Sequence, residues 1–215
     1  MANRESEIVH IPVDSVTLEG ALEIPQGAEG IVVFVHGSGS SRHSPRNKYV
    51  AKVLRDAGMG TLLFDLLTRE EDAVYERRFD IDLLTDRLKA VTKWLKVQSR
   101  TKDMKIGYFG ASTGAAAALR AAANLGKEIS AVVSRGGRPD LAGHALKRVQ
   151  SPTLLIVGGY DDIVIQLNQQ AYKIIEAEKE LKIVPGATHL FEEPGKLEEV
   201  ARLAAEWCKK YLSSR

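Results

Sequence analysis

Lys105-Ile106-Gly107-Tyr108-Phe109-Gly110-Ala111-Ser112-Thr113-Gly114 runs straight into Ala115-Ala116-Ala117-Ala118-Leu119-Arg120-Ala121-Ala122-Ala123. The first five residues have the apolar, aromatic character of a short strand. The alanine-rich run is about as strong a helix former as sequence offers. Between them stands G-x-S-x-G, the pattern of the nucleophile elbow, a sharp turn that lifts a serine hydroxyl above the end of a sheet. Its two glycines let strand and helix backbones pass where a Cβ would clash. A serine at such a junction could instead cap the helix. The rest of the chain decides between the two.

Working outward, further continuous apolar runs lie at 31–35, 61–65, 131–134, 153–157 and 181–184. Continuous rather than alternating runs predict strands buried on both faces, hence a parallel sheet covered by helices. The N-terminal part differs. Val16, Leu18, Leu22 and Ile24 alternate with Gly20 in register, and with residues 8–13 they predict an antiparallel pair at the sheet edge. Ile81, Leu84, Leu88, Val91 and Leu95 fall at helical spacing, as do Leu197, Val200, Ala204, Trp207 and Tyr211. Helices are also predicted over 45–57 and 164–176. With no repeat or long linker, residues 1–215 read as a single domain.

The balance of residues is that of an ordinary globular protein, 44% hydrophobic and 27% charged. A formal net charge of +2 gives no basis for nucleic-acid binding. No stretch approaches the roughly 20 apolar residues of a membrane span, and residues 1–7 are polar with no apolar signal core. Cys208 is the one cysteine. It is expected to be a packed core thiol, and its solitude fits a reducing, cytoplasmic setting. No cofactor or metal is expected. The histidines are scattered without metal-ligand spacing, and Gly37-Ser38-Gly39-Ser40-Ser41 lacks the Gly-Lys-Ser/Thr ending of a phosphate loop.

In parallel sheets the working residues follow the carboxyl ends of strands. His36-Gly37-Ser38-Gly39-Ser40-Ser41 follows the 31–35 run, Ser112 follows 105–109, Gly158-Gly159-Tyr160-Asp161-Asp162 follows 153–157, and Pro185-Gly186-Ala187-Thr188-His189 follows 181–184. A nucleophile, an acid and a histidine therefore meet on one sheet edge, in the chain order Ser, Asp, His. Ser112 needs a base to remove its proton. His189 can take it and hand it to the leaving group. Asp161 would hold the imidazole's tautomer and stabilise its cation. The backbone N–H groups of Thr113 and Ser38 would face the oxyanion.

These four motifs resemble the α/β-hydrolases, and more narrowly the small dienelactone-hydrolase-like group, over most of the chain from about Ile31 onward. The resemblance implies the α/β-hydrolase fold: a mostly parallel twisted sheet, helices on both faces, an antiparallel N-terminal edge. It implies a serine hydrolase acting on a small carboxylic ester or thioester through an acyl-enzyme. One departure is plain. Dienelactone hydrolases proper use a cysteine nucleophile where this chain has Ser112, so ester chemistry in general, rather than lactone hydrolysis, is what carries over. An amide, peptide or carbon–carbon bond hydrolase would share the triad, and a binding module that had lost turnover would share the fold.

Neighbouring residues compete for these roles. Asp162 rivals Asp161 and would otherwise cap a helix or face solvent; the place after the two glycines, where family acids sit, favours Asp161. His10, His36, His43 and His144 rival His189, but His10 reads as surface, His36 as structural, and neither His43 nor His144 closely follows a strand end. Arg42 and Arg46 are set in polar loop and helix. Arg135 and Arg138 flank Gly136-Gly137 past the 131–134 strand, where they would either be ion-paired surface or capture a substrate anion. Between Gly137 and the next strand there is room for a turn or one short helix, so no lid domain is expected. An open, shallow site, a small substrate and either a monomer or a homodimer complete the expectation.

Overall fold

The computed structural model describes residues 6–213; the polar segment 1–5 and residues 214–215 lie outside the described residues. Eight strands form one sheet in the order β1-β2-β4-β3-β5-β6-β7-β8. They are β1 Glu7–Val13, β2 Val16–Glu23, β3 Gly30–Val35, β4 Gly60–Phe64, β5 Lys105–Ala111, β6 Ile129–Arg135, β7 Thr153–Gly158 and β8 Lys179–Val184. From β4 to β8 every pairing is parallel, while β1 with β2 and β2 with β4 are antiparallel. The helices are α1 Pro45–Asp56, α2 Arg69–Asp72, α3 Ile81–Leu95, α4 Thr113–Leu125, α5 Asp162–Ile174 and α6 Lys196–Leu212.

The central strands β3, β4 and β7 are buried along their whole length, β5 and β6 at all but one residue each, and successive residues feed opposite layers. Ile31, Val33 and Val35 of β3 pack with Leu84, Leu88 and Val91 of α3 and with the alanines of α4. Val32 and Phe34 pack on the other face with Val50 and Leu54 of α1 and Val200, Ala204 and Trp207 of α6. Alanine at 115–118 brings α4 close to the sheet, with every one of those side chains buried. Trp207 and Cys208 turn inward, and burial pushes the Cys208 thiol up to about 12.

One strand departs from expectation. β8 was expected to be buried on both faces, yet only Val184 of its six residues is buried. It is an edge strand carrying Lys179, Glu180 and Lys182, the charged composition that discourages pairing with another chain. Between β6 and β7 lies only a pair of 3₁₀ turns, Pro139–Arg148, broken at Gly143, so there is no lid. The segment 69–79, unassigned from sequence, forms the short α2 and a 3₁₀ turn, Tyr75–Phe79. Among the described residues no helix is long and apolar enough to cross a membrane.

Strand order reverses at β3. The chain steps from β3 to β4 on one side and then crosses to β5 on the other. A crevice opens at such a reversal, beyond the carboxyl ends of the strands.

Candidate active site

Ser112 ends the strand-to-helix turn with φ 51° and ψ −123°, a backbone conformation that L-residues rarely adopt. It occupies the position before α4 where a serine would ordinarily cap, but its side chain makes no capping bond. The strain, of order 1–3 kcal/mol for such conformations, is held by close backbone packing on both sides. A Cβ on Gly110 would lie 2.5 Å from Ala115 Cα, and one on Gly114 would lie 2.1 Å from Val35 O. Only glycine fits at either place. The hydroxyl is thus freed from local hydrogen bonding and presented outward.

Asp161 repeats the pattern at the end of β7. It stands just before α5 and likewise makes no capping bond. Its carboxylate turns instead to His189, with Nδ1 2.6 Å from Oδ2. An ionised carboxylate can only accept, so Nδ1 is the donor in this contact, and in a neutral imidazole that leaves Nε2 with its lone pair. Asp162 is exposed in the first turn of α5, so of the neighbouring aspartates it is Asp161 that meets the histidine. The loop holding His189 is braced by Glu193, whose carboxylate accepts from the Thr188 N–H at 3.1 Å and from its hydroxyl at 2.6 Å. The His189 side chain is 41% exposed, in keeping with an open site.

The Gly37-Ser38 loop closes over the serine: a Cβ on Gly37 would sit 3.0 Å from Ser112 Cβ. Thr113, as the first residue of α4, has an N–H with no intrahelical acceptor. The Ser38 N–H is occupied, donating to Thr113 Oγ1 at 2.9 Å. Sequence reading paired these two residues as donors but missed the threonine hydroxyl that links them, since nothing local signals a contact across 75 positions. His36 is buried behind this loop. Its Nδ1 donates to Gly37 O at 3.0 Å, and its Nε2 accepts from the Leu66 N–H at 3.1 Å. Burial holds its pKa below the ordinary value, outweighing the nearby Asp65 and Asp72. It is a neutral strut between the ends of β3 and β4. His10, His43 and His144 are exposed and do not line the cleft.

Ser112, His189, Ser38 and Arg135 line a single cleft of about 240 Å³, together with Arg46 and Asn47 of α1. Among the described residues no hydrogen bond joins Ser112 Oγ to His189; such contacts are commonly loose without substrate and tighten when it binds. The arginines separate. Arg138 is not among the residues that line the cleft; its guanidinium grips Asp140 at 2.9 and 2.7 Å. Only its backbone serves the elbow, donating to Ser112 O at 3.0 Å. Arg42 is tied to Asp65 and Glu19 in a neighbouring groove. Arg135 is 7% exposed, and burial together with Arg46 lowers its pKa to about 10.

The model of the dienelactone hydrolase family matches residues 18–213. A dienelactone hydrolase from Anabaena variabilis shares the fold with a TM-score of 0.96 and 55% identity, over 99% of this chain and 100% of that one. Est1E from Butyrivibrio proteoclasticus shares the fold alone, with a TM-score of 0.81 at 17% identity over 95% and 98% of the two chains. Two Mycobacterium tuberculosis sequences provisionally named phosphoribosyl transferases are 58% identical over 96% of this chain. The chain spans about half the length of these curated relatives, 46%. Fold, motifs and relatives thus agree: the chain is an α/β-hydrolase and belongs to the dienelactone hydrolase family.

Proposed function

We propose that the protein hydrolyses a small carboxylic ester or thioester through an acyl-enzyme on Ser112. The observation that carries this reading is the strained, uncapped Ser112 sharing one cleft with His189, whose Nδ1 is held by Asp161 at 2.6 Å. In the first step Ser112 Oγ bonds to the carbonyl carbon while its proton passes to His189 Nε2. The bond to the alcohol or thiol then breaks, and that proton leaves with it. Water, deprotonated by the same nitrogen, releases the acid and restores the serine. The Thr113 N–H faces the developing oxyanion, and the Ser38 N–H exchanges Thr113 Oγ1 for it as the tetrahedral centre forms.

The transferase name of the mycobacterial relatives attaches to proteins about twice this length, and we do not carry it over to this chain. The test is direct. A fluorophosphonate probe should label the wild type at Ser112 and leave Ser112→Ala unlabelled. Turnover of p-nitrophenyl acetate should fall by about a thousandfold or more in Ser112→Ala and in His189→Ala, with the fold retained. Unchanged turnover in either variant overturns the reading.

A further inference from the structure

Asparagine is a poor residue for the middle of a helix, and a costly one to bury unless its amide is hydrogen-bonded. Asn168 stands mid-way along α5 and is fully buried. Its Nδ2 donates twice, to Val164 O in its own helix at 2.8 Å and to Gly137 O at 3.0 Å, the latter across 31 positions of chain. Two carbonyl partners fix the orientation of the amide, since only its NH2 end can donate to them. Oδ1 is left buried without a partner, so the side chain is held by its donors alone.

The peptide whose oxygen Asn168 holds is the one whose nitrogen holds the nucleophile. A peptide unit is a rigid plane. At one end of the 137–138 plane, Gly137 O accepts from Asn168; at the other, the Arg138 N–H donates to Ser112 O at 3.0 Å. The same turn brackets the serine from its other side, where Arg135 O accepts the Ser112 N–H at 3.2 Å. Gly136, at φ 51°, runs beneath the imidazole, and a Cβ there would stand 3.3 Å from His189 Cε1. The Gly136 N–H is fixed by Ile156 O at 2.8 Å, but the next peptide leans on α5. That helix starts at Asp161, whose carbonyl accepts the Ile165 N–H at 2.8 Å and whose carboxylate holds His189. Asn168 lies about two turns further along it.

We propose that Asn168 is a positioning residue for the reaction: through the 137–138 peptide its amide ties the helix that bears the acid to the turn that bears the serine, and so sets the separation of Ser112 Oγ from the imidazole. This inference rests on Ser112 and His189 acting as nucleophile and base. Asp161 and His189 move with α5, and Ser112 moves with the 135–138 turn. The Asn168 bond joins the two bodies. A misplacement of about 1 Å in such a constellation can lower the rate by about a hundredfold.

The test separates the bond to Gly137 from the bond within the helix. A threonine at 168 keeps the latter, as Thr85 and Thr92 bond to the carbonyls four positions before them in α3 at 2.6 and 2.9 Å. Its hydroxyl is one bond shorter than the amide and is committed to Val164 O, so Gly137 O loses its partner. Well below its melting temperature, Asn168→Thr should turn over p-nitrophenyl acetate with kcat lowered about tenfold to a hundredfold and KM within about threefold of the wild type. The rate of fluorophosphonate labelling should fall in step. Ala171→Gly is the control: it weakens the same helix at a buried position without touching the turn. It should melt lower than the wild type and keep both rates within about twofold. Wild-type rates in Asn168→Thr overturn the proposal, as does an equal loss of rate in Ala171→Gly, which would make helix stability the cause. Failure of Asn168→Thr to fold while Ala171→Gly folds overturns it too, because the amide would then hold the molecule and not the site. Labelling of the wild type, lost in Ser112→Ala, reports on the serine separately. Its absence overturns the esterase reading, whereas its presence with unaltered rates in Asn168→Thr overturns only the role of Asn168.

Discussion

Ser112 and Asp161 occupy equivalent places, each the residue before a helix, and each is a residue type that ordinarily caps one. Neither does. The strained turn aims Ser112 away from the N–H groups of α4, and the 2.6 Å contact with His189 draws Asp161 away from those of α5. Two forgone caps mark two side chains committed elsewhere. The proposed mechanism makes the neighbouring aspartates unequal. Asp161→Asn would leave the imidazole in the wrong tautomer and should lower kcat by about a thousandfold or more. Asp162→Asn, an exposed change, should leave kcat within about threefold. Steady-state kinetics on one ester distinguishes them. Equal effects would remove Asp161 from the mechanism. The Ser-Asp-His order was legible in the sequence because each residue follows a strand end; the orientation of each side chain was not.

At the scale of elements, the elbow depends on how closely α4 approaches β5 and β3. That approach was legible, since two glycines and a run of alanines remove the side chains that would keep the backbones apart. Gly114 is the tighter constraint on β3, with only 2.1 Å between the Cβ an alanine would add and Val35 O. Gly114→Ala should destabilise the protein by about 3 kcal/mol or more, read from the denaturant midpoint, and should displace Ser112 as well. An unaltered midpoint would show that the helix can slide without cost. The short α2 was not legible, because four residues show no periodicity. Tertiary contact holds it: Glu71 completes a capping box with Thr68 and then receives Arg87 from α3 at 2.6 Å. Arg87→Met would leave the buried Glu71 carboxylate with the Thr68 N–H and the longer 3.4 Å contact to Arg77, and should cost about 2–3 kcal/mol, measured by thermal or denaturant unfolding.

On the scale of the molecule, the reversal of strand order at β3 brings loops distant in sequence to one rim, and His36 pins two of them together through Gly37 O and the Leu66 N–H. Its pKa lies below the ordinary 6.5 because burial disfavours the cation. The unfolded chain therefore binds a proton more readily than the folded one below that pH. Stability from this group is fully present above pH 6.5 and is lost as the pH falls toward the lowered folded value. Melting temperature should drop between about pH 6.5 and 5, and the drop should be smaller in His36→Gln, which cannot titrate. Identical acid slopes in the two proteins would remove His36 as the cause. The amino-acid sequence by itself determined the alternation of strands and helices, the antiparallel edge, the strand-to-helix elbow and the order of Ser112, Asp161 and His189 along the sheet edge, because each depends on residues close together in the chain or on spacing between strand ends. The tertiary structure alone decided that Arg138 pairs with Asp140 while Arg135 stays unpaired, that the Ser38 N–H rests on Thr113, and that β8 is an exposed edge. Charge pairing, hydrogen bonding and burial are set by neighbours in space: the Ser38–Thr113 contact spans 75 positions, and even Arg138 and Asp140, two residues apart, could have turned to the cleft instead of to each other.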